Sequence, residues 1–165
     1  MSSSTKNKRK SSSKKSKSGS NKSRAPKGKH PLEIEYWHVL PALRRKFAHN
    51  LKERGQKQRE IASLMGITEA AVSQYIKGAR GELKRVHEDG TEELIDFPDY
   101  INKEIESSID IILKEPTEGI FLYEISRIIR LIRQNPHEYL CKVHTIYGKR
   151  VKDCKICKIY SENLS

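Results

Sequence analysis

The segment from Gln56 to Gly81 constrains the fold of this chain more than any other, because it reads as two short helices joined by a tight turn. Residues 57–64 have the composition of a short helix. That helix is expected to end at Gly66, where glycine can adopt a left-handed conformation without a Cβ penalty. Thr68 is a good N-cap for the next helix. The apolar positions of this second helix recur at helical spacing: Val72, Tyr75 and Ile76. The pattern predicts a helix-turn-helix.

The outward face of the second helix consists of small and polar side chains followed by a cation. Its members are Glu69, Ala70, Ser73, Gln74 and Lys77. A face of this size and polarity fits the major groove of DNA. The alternative is a corner between two helices that only packs, but the joint pattern is much rarer than any one of its parts. DNA binding is therefore the favoured interpretation.

The segment from Pro41 to Gly81 resembles the phage-repressor (XRE-like) helix-turn-helix family. The resemblance implies a mainly α fold that binds double-stranded DNA, with bases read by the start and middle of the second helix. Carried over by position, the base-reading residues are Glu69, Ala70, Ser73 and Gln74. The full set of predicted DNA-binding residues adds Gln58, Thr68, Lys77 and Arg80. In these positions Gln74 can pair with adenine, and Glu69 can accept a hydrogen bond from cytosine N4. Lys77 and Arg80 are placed to hold phosphate.

Positive charge is concentrated in the N-terminal half of the chain. The whole chain has a formal net charge of +12. Eleven of its 33 Lys and Arg residues lie in residues 1–30, which contain no acidic residue. Residues 41–85 carry eleven basic and four acidic residues. Because residues 1–30 have so few apolar side chains to bury, they are predicted to be a disordered basic arm that contacts phosphate without reading sequence. Both excesses of charge favour a polyanionic partner.

The rest of the chain divides by composition. We predict a DNA-binding domain over residues 31–81, a linker or short wing over residues 82–97 and a helical hairpin over residues 98–135. A polar linker is favoured over a wing, because the residues around the turn signal Asp89-Gly90 do not alternate cleanly. The isoleucine-rich faces of the hairpin exceed what two helices can bury alone. The hairpin is therefore expected to pack on the first domain or on its copy in a homodimer.

Three features of the chain are predicted to serve the fold rather than a binding site. Tyr36 and Trp37 are predicted to be core residues rather than a stacking platform for nucleic acid, and His38 is predicted to be a surface or cap residue. Pro41 is expected to begin the next helix. A basic triplet on the second hairpin helix is predicted to be a solvated edge: Arg127, Arg130 and Arg133.

All three cysteines lie in the last 25 residues, in a C-x2-H-x9-C-x2-C pattern. The predicted metal ligands, within residues 136–165, are Cys141, His144, Cys154 and Cys157. A short hairpin over residues 145–151 can bring the two ligand pairs together. Three thiolates and one imidazole complete a tetrahedral shell, which is typical of structural zinc. An iron–sulfur cluster is the main alternative cofactor, and three unliganded cysteines are the other possibility.

Three stretches together resemble a family of small archaeal regulators, related to the helix-turn-helix domain fused to archaeal thiamine-phosphate synthase. They are W-H-V-L-P-A-L-R-R-K-F-A from Trp37, Q-Y-I-K-G-A-R-G from Gln74, and the C-terminal Cys/His cluster. The resemblance implies a transcriptional regulator that is cytoplasmic, and associated with the nucleoid if archaeal.

Other function classes are less favoured. No stretch approaches the roughly 18 apolar residues of a membrane span, and the N-terminal region lacks the apolar segment of a secretory signal. The sequence has no phosphate-cradling glycine loop, nucleophile elbow or open-site metal motif, which argues against an enzyme, and it identifies no small-molecule substrate. Two alternatives stay open. One is a coactivator resembling the multiprotein bridging factors, although their archaeal zinc ligands precede the helix-turn-helix. The other is an iron–sulfur redox-sensing regulator.

Overall fold

The computed structural model describes residues 30–148 and, after them, residues 155, 156, 159 and 162. The described elements, in chain order, are α1 (Pro31–Ile34), a π-helical turn (Glu35–Val39), α2 (Leu40–Glu53), α3 (Gln58–Met65), α4 (Glu69–Ile76), β1 (Lys84–Val86), β2 (Glu92–Leu94), α5 (Asp99–Lys114), α6 (Glu118–Gln134) and α7 (Leu140–Tyr147). The prediction of a mainly α protein is confirmed. Within the described part of the chain, no helix is both long and apolar enough to cross a membrane.

The first helical stretch runs without a break through α1, the π-helical turn and α2, although Pro41 lies inside it. Proline has no N–H to donate to the carbonyl of Trp37, and in a regular helix its ring would crowd that carbonyl. The chain responds with a wider turn just before the proline, in which the Leu40 N–H donates to the Glu35 carbonyl five residues back. The sequence position of Pro41 thus accounts for the π-helical turn.

The wider turn changes which side chains face the core. His38 is buried, whereas Tyr36 is 62% exposed and Trp37 is 42% exposed. The prediction that these two aromatic residues are core, and that His38 lies at the surface, is therefore wrong. The reason is that the extra residue in the π-helical turn rotates the following positions relative to the regular helical spacing assumed from the sequence.

One continuous set of buried side chains joins the helices from α1 to α7. Helices α5 and α6 pack against each other as a hairpin, with α5 also against α2 and α6 also against α3. The rings of Phe47 on α2 and Phe121 on α6 meet edge to face, with centroids 5.4 Å apart. Of the two arrangements that the sequence allowed for the isoleucine-rich hairpin, packing on the first domain is therefore present.

The hairpin of α5 and α6 contains a partly buried ionic cluster around Arg127. Its guanidinium group donates to Glu104 at 2.6 Å, to Glu124 at 2.9 Å and to the Ser108 hydroxyl at 2.9 Å. Ser108 in turn donates to Glu124 at 2.7 Å. Ser108 and Glu124 are buried. Arg127 is therefore a structural residue of the hairpin, and its assignment to a solvated edge is wrong.

A second ion pair connects the hairpin to the N-terminal helices. Arg133 donates to both carboxylate oxygens of Glu35, at 2.9 and 2.6 Å, and Glu35 is buried in the π-helical turn. Such a bidentate pair fixes orientation as well as distance. Only Arg130 of the basic triplet is an exposed side chain. The regular spacing of the three arginines could not show which of them is exposed and which forms an ion pair. The acidic partner of Arg133, for example, lies almost a hundred positions earlier in the chain.

Residues 82–97 contain an antiparallel ribbon of two strands, in which Lys84 pairs with Leu94. The favoured prediction of a polar linker is therefore wrong. The alternative, a short wing, describes this segment. Its turn is closed by Asp89, whose carboxylate accepts from the Thr91 N–H at 2.9 Å and from the Thr91 hydroxyl at 2.6 Å. At its base, the Tyr147 hydroxyl accepts from the Lys84 N–H and donates to the Lys84 carbonyl. These polar contacts stabilise the ribbon in place of alternating apolar side chains.

Replacing Gly81 by alanine is expected to destabilise the fold more than replacing Gly55 by alanine. Both glycines have positive φ, +75° and +88°, so either replacement costs about 1–2 kcal/mol of backbone strain. A Cβ at Gly81 would also collide with the carbonyl of Pro41, whereas a Cβ at Gly55 meets no described atom within 4 Å. We expect the extra loss at Gly81 to be at least ~1 kcal/mol, measured by denaturant unfolding. Equal losses would contradict the close packing of Gly81 on α2.

Candidate nucleic-acid interface

The turn between α3 and α4, with the two helices, forms a unit that we call the α3–α4 corner. Helix α3 begins after Lys57, whose N–H donates to the Glu60 carboxylate at 2.7 Å. It ends at Gly66, which has φ of +61°, and the Ile67 N–H then bonds back to the Ala62 carbonyl at 3.0 Å. This is the left-handed helix end that the sequence predicts at Gly66.

The start of α4 is fixed by Thr68, as predicted. Its hydroxyl accepts a hydrogen bond from the Ala71 N–H at 3.2 Å and so satisfies one of the orphan donors of the helix. Val72 and Tyr75 are buried, 0% and 3% exposed, on the side of α4 that packs against α2 and α3. These two anchors determine which face of α4 points outward. Because the Thr68 hydroxyl holds the cap, any role of this residue toward DNA is combined with a structural one.

The outward face of α4 contains the residues that the sequence selected. Glu69, Ala70 and Gln74 are exposed, while Ser73 is half-buried between them and the packed side. Lys77 is exposed at the end of the helix. Arg80 is exposed in the following turn, with its guanidinium carbon 5.7 Å from the Tyr75 ring centroid. One short helix therefore presents four of the predicted contacts, and two cations follow it.

Gln58 lies apart from this face, half-buried at the first position of α3. Next to it, Arg59 is exposed, and so is Lys57. Sequence reasoning did not select these two cations, because a charged side chain on a helix is usually just solvated. Their position beside Gln58 in the α3–α4 corner is the signal that could have identified them.

The cations of residues 41–85 fall into two groups. One group lies within 4 Å of carboxylates: Arg45, Lys46, Arg54, Lys84 and Arg85. The other group has no carboxylate within that distance among residues 30–148: Arg44, Lys52, Lys57, Arg59, Lys77 and Arg80. The last four of this second group lie on the α3–α4 corner or in the turn after it. The corner therefore has positive charge that the described fold does not neutralise.

Half of the predicted metal site lies in the described part of the chain. Cys141 and His144 are both on α7, where Cys141 is half-buried with its Sγ 3.6 Å from His137 Nδ1, and His144 is 4% exposed. Cys154 and Cys157 lie outside the described residues, as does almost all of the predicted basic arm, residues 1–29. Among the described residues no group of three or more possible ligands is present. The predicted hairpin over residues 145–151 is wrong in its first three residues, which belong to α7.

Comparison of the chain with protein-family models, with curated proteins and with solved structures gave no match.

Proposed function

We propose that this chain is a sequence-specific, double-stranded DNA-binding transcriptional regulator, and that the α3–α4 corner is its helix-turn-helix of the phage-repressor kind. The observation that carries the proposal is the outward face of α4, where Glu69, Ala70 and Gln74 are exposed while Val72 and Tyr75 anchor the opposite side. A helix held in this way, with short side chains outward, can enter a major groove without a clash.

The proposed contacts separate into base reading and phosphate binding. Gln74 can donate and accept in the bidentate pattern that adenine N7 and N6 require, and Glu69 can accept from cytosine N4. Lys77 and Arg80 follow α4, and Arg59 lies at the start of α3, so these cations can contact the backbone on either side of the groove. Cations in such positions set the register of a protein on DNA but carry no sequence information themselves.

We further propose that the regulator acts as a homodimer. Two copies of α4 related by a twofold axis would contact half-sites about 34 Å apart, one turn of the duplex. The spacing and symmetry of the preferred sequence therefore report on the dimer as well as on the recognition helix.

The proposal is tested by selecting bound sequences from a pool of random duplexes with the full chain. We expect enrichment of one motif, in inverted repeat if the protein binds as a dimer. Binding without enrichment would contradict sequence-specific regulation and favour the bridging-protein alternative, in which the contacts that matter are with other proteins.

We also propose a structural zinc site made by Cys141, His144, Cys154 and Cys157. The described half fits this role, because α7 presents a thiol and an imidazole three residues apart, and residues at that spacing are neighbours on a helix surface. The burial of His144 keeps that imidazole away from bulk water. Zinc bound here would stabilise a C-terminal segment too short to have a core of its own.

Metal analysis of protein purified without oxygen is expected to give one zinc per chain and no visible absorption. Cys141→Ser should remove the metal, because a hydroxyl is a far weaker ligand than a thiolate. The control His87→Ala, which removes an exposed imidazole on the ribbon, should retain it. If the analysis finds iron and sulfide instead of zinc, the site is a redox-sensing iron–sulfur cluster. A chain with no bound metal, in which all three thiols react freely, would contradict both sites.

A further inference from the structure

A cavity of about 690 Å³ lies between the ribbon, the residues that lead into α5, and α7. Its size is within the range of small-molecule sites in proteins. Half of the residues that line it are apolar: Leu94, Ile95, Phe97, Pro98 and Ile146. Phe97 is buried, and its ring centroid lies 4.5 Å from that of the Tyr139 ring. The cavity therefore has an apolar wall that is anchored in the core of the fold.

The other half of the lining is charged, with two cations and three carboxylates: Arg85, Lys142, Glu93, Asp96 and Glu138. Three of these five groups already have ionic partners within the fold. The Glu93 carboxylate lies 3.9 Å from the Arg85 guanidinium group and 3.3 Å from the His87 imidazole. The Asp96 carboxylate pairs with the Lys46 ammonium group at 3.1 Å. A ligand in the cavity would have to compete for these groups.

Lys142 and Glu138 are the two charged residues of the lining without an ionic partner. Both are exposed, and neither has an oppositely charged side chain within 4 Å among residues 30–148. Glu138 lies in the turn before α7, and Lys142 lies four positions later, in the first turn of that helix. Both line the same cavity, but they do not form an ion pair with each other. This arrangement suits a ligand that carries both charges.

We propose that the cavity binds a free α-amino acid with a large apolar side chain. The carboxylate of the ligand accepts from Lys142, and its ammonium group donates to Glu138. The apolar side chain lies against Phe97 and Ile146, where it is removed from water. A simple anion suits the cavity less well, because carboxylates outnumber cations in the lining by three to two. A simple cation would leave Lys142 without a partner. This site does not rest on the proposed reading of duplex DNA by α4.

Isothermal titration calorimetry of the dialysed full chain with L-phenylalanine tests the proposal, with three analogues that each remove one contact. 3-Phenylpropionate lacks the ammonium group, phenylalaninamide lacks the carboxylate, and glycine lacks the apolar side chain. Each should bind at least about 10-fold more weakly than L-phenylalanine, since a hydrogen bond to a charged group and a buried aromatic side chain each contribute a factor of this size. Equal affinity for 3-phenylpropionate would overturn the proposal. So would the absence of binding by L-phenylalanine, L-leucine and L-tryptophan at millimolar concentration.

Two pairs of substitutions locate the ligand. Lys142→Gln and Glu138→Gln should each weaken the binding of L-phenylalanine by at least about 10-fold. The matched controls Lys114→Gln and Glu115→Gln remove exposed charges at the end of α5, outside the cavity, and should bind like the unaltered protein.

Phenylalaninamide separates a direct contact of Lys142 from a structural role. Because this analogue has no carboxylate for Lys142 to bind, Lys142→Gln should leave its affinity unchanged. Circular dichroism of each variant verifies the fold. Equal affinities of folded Lys142→Gln and Lys114→Gln for L-phenylalanine would overturn the proposal, and so would an equal loss of both ligands in Lys142→Gln.

Discussion

Replacing Arg127 by methionine is expected to lower the free energy of unfolding by about 3–5 kcal/mol. The substitution keeps an unbranched side chain about as long as the arginine stem but removes the cation that contacts Glu124, a carboxylate only 3% exposed. Ser108 would then be the remaining donor to that carboxylate among the described residues. A buried charge without its partner carries the full cost of its lost hydration. Denaturant unfolding monitored by circular dichroism measures the loss.

Arg130 is the matched control for this prediction, because it lies on the same helix and is exposed. Arg130→Met should change the free energy of unfolding by no more than about 0.5 kcal/mol. Replacing Glu124 and Arg127 together by methionine should recover most of the loss, since apolar pairs often substitute for buried ion pairs without cost. A loss at Arg127 no larger than that at Arg130 would mean that the cluster does not hold the α5–α6 hairpin together.

Removing residues 1–29 is expected to weaken binding to any duplex and to flatten its dependence on salt. Each phosphate neutralised by a cation releases about 0.9 counterion, so the eleven cations before His30 can contribute a slope of at most about 10 in log K against log salt. If the arm makes six or more phosphate contacts, its contribution changes by ~10³ or more between 50 and 200 mM salt. Titrations of one duplex at several salt concentrations measure the difference between the full chain and the truncated one.

A variant in which the same cations are replaced by glutamine separates charge from chain length. It should behave like the truncated protein, and both should prefer the same sequence as the full chain, because lysines that contact phosphate do not read bases. A changed preference after truncation would show that the arm enters a groove and contributes to recognition.

The local features of the α3–α4 corner could be predicted from the sequence. Gly66 and Thr68 act on their immediate neighbours, one by tolerating a left-handed conformation and the other by accepting from a nearby N–H. Val72 and Tyr75 are spaced so that both face the same side of a helix, which fixes the outward face as well. Signals of this kind depend on a few adjacent residues, and the structure contains them as predicted.

Other features depend on distant partners and were not predictable in the same way. The exposure of Trp37 results from a turn that combines the effect of Pro41 with the pairing of Glu35 and Arg133. The ribbon at residues 84–94 is tied down by Tyr147, more than fifty positions later in the chain. Neither Arg133 nor Tyr147 can be identified as a partner from the local pattern of apolar residues. A regular helix around Trp37 and a polar linker at residues 82–97 were therefore expected, and both expectations were incorrect.

The measurement that decides whether α4 reads DNA is the consensus selected from random duplexes by the Gln74→Ala variant. The exposed amide of Gln74 is proposed to pair with one adenine, so the variant should lose its preference at one position and about 1–3 kcal/mol of affinity on the best site. Gln134→Ala, which removes an exposed amide at the end of α6, should select the unaltered consensus. If Gln74→Ala selects the same consensus with the same affinity, α4 does not lie in the groove and the proposed function is wrong.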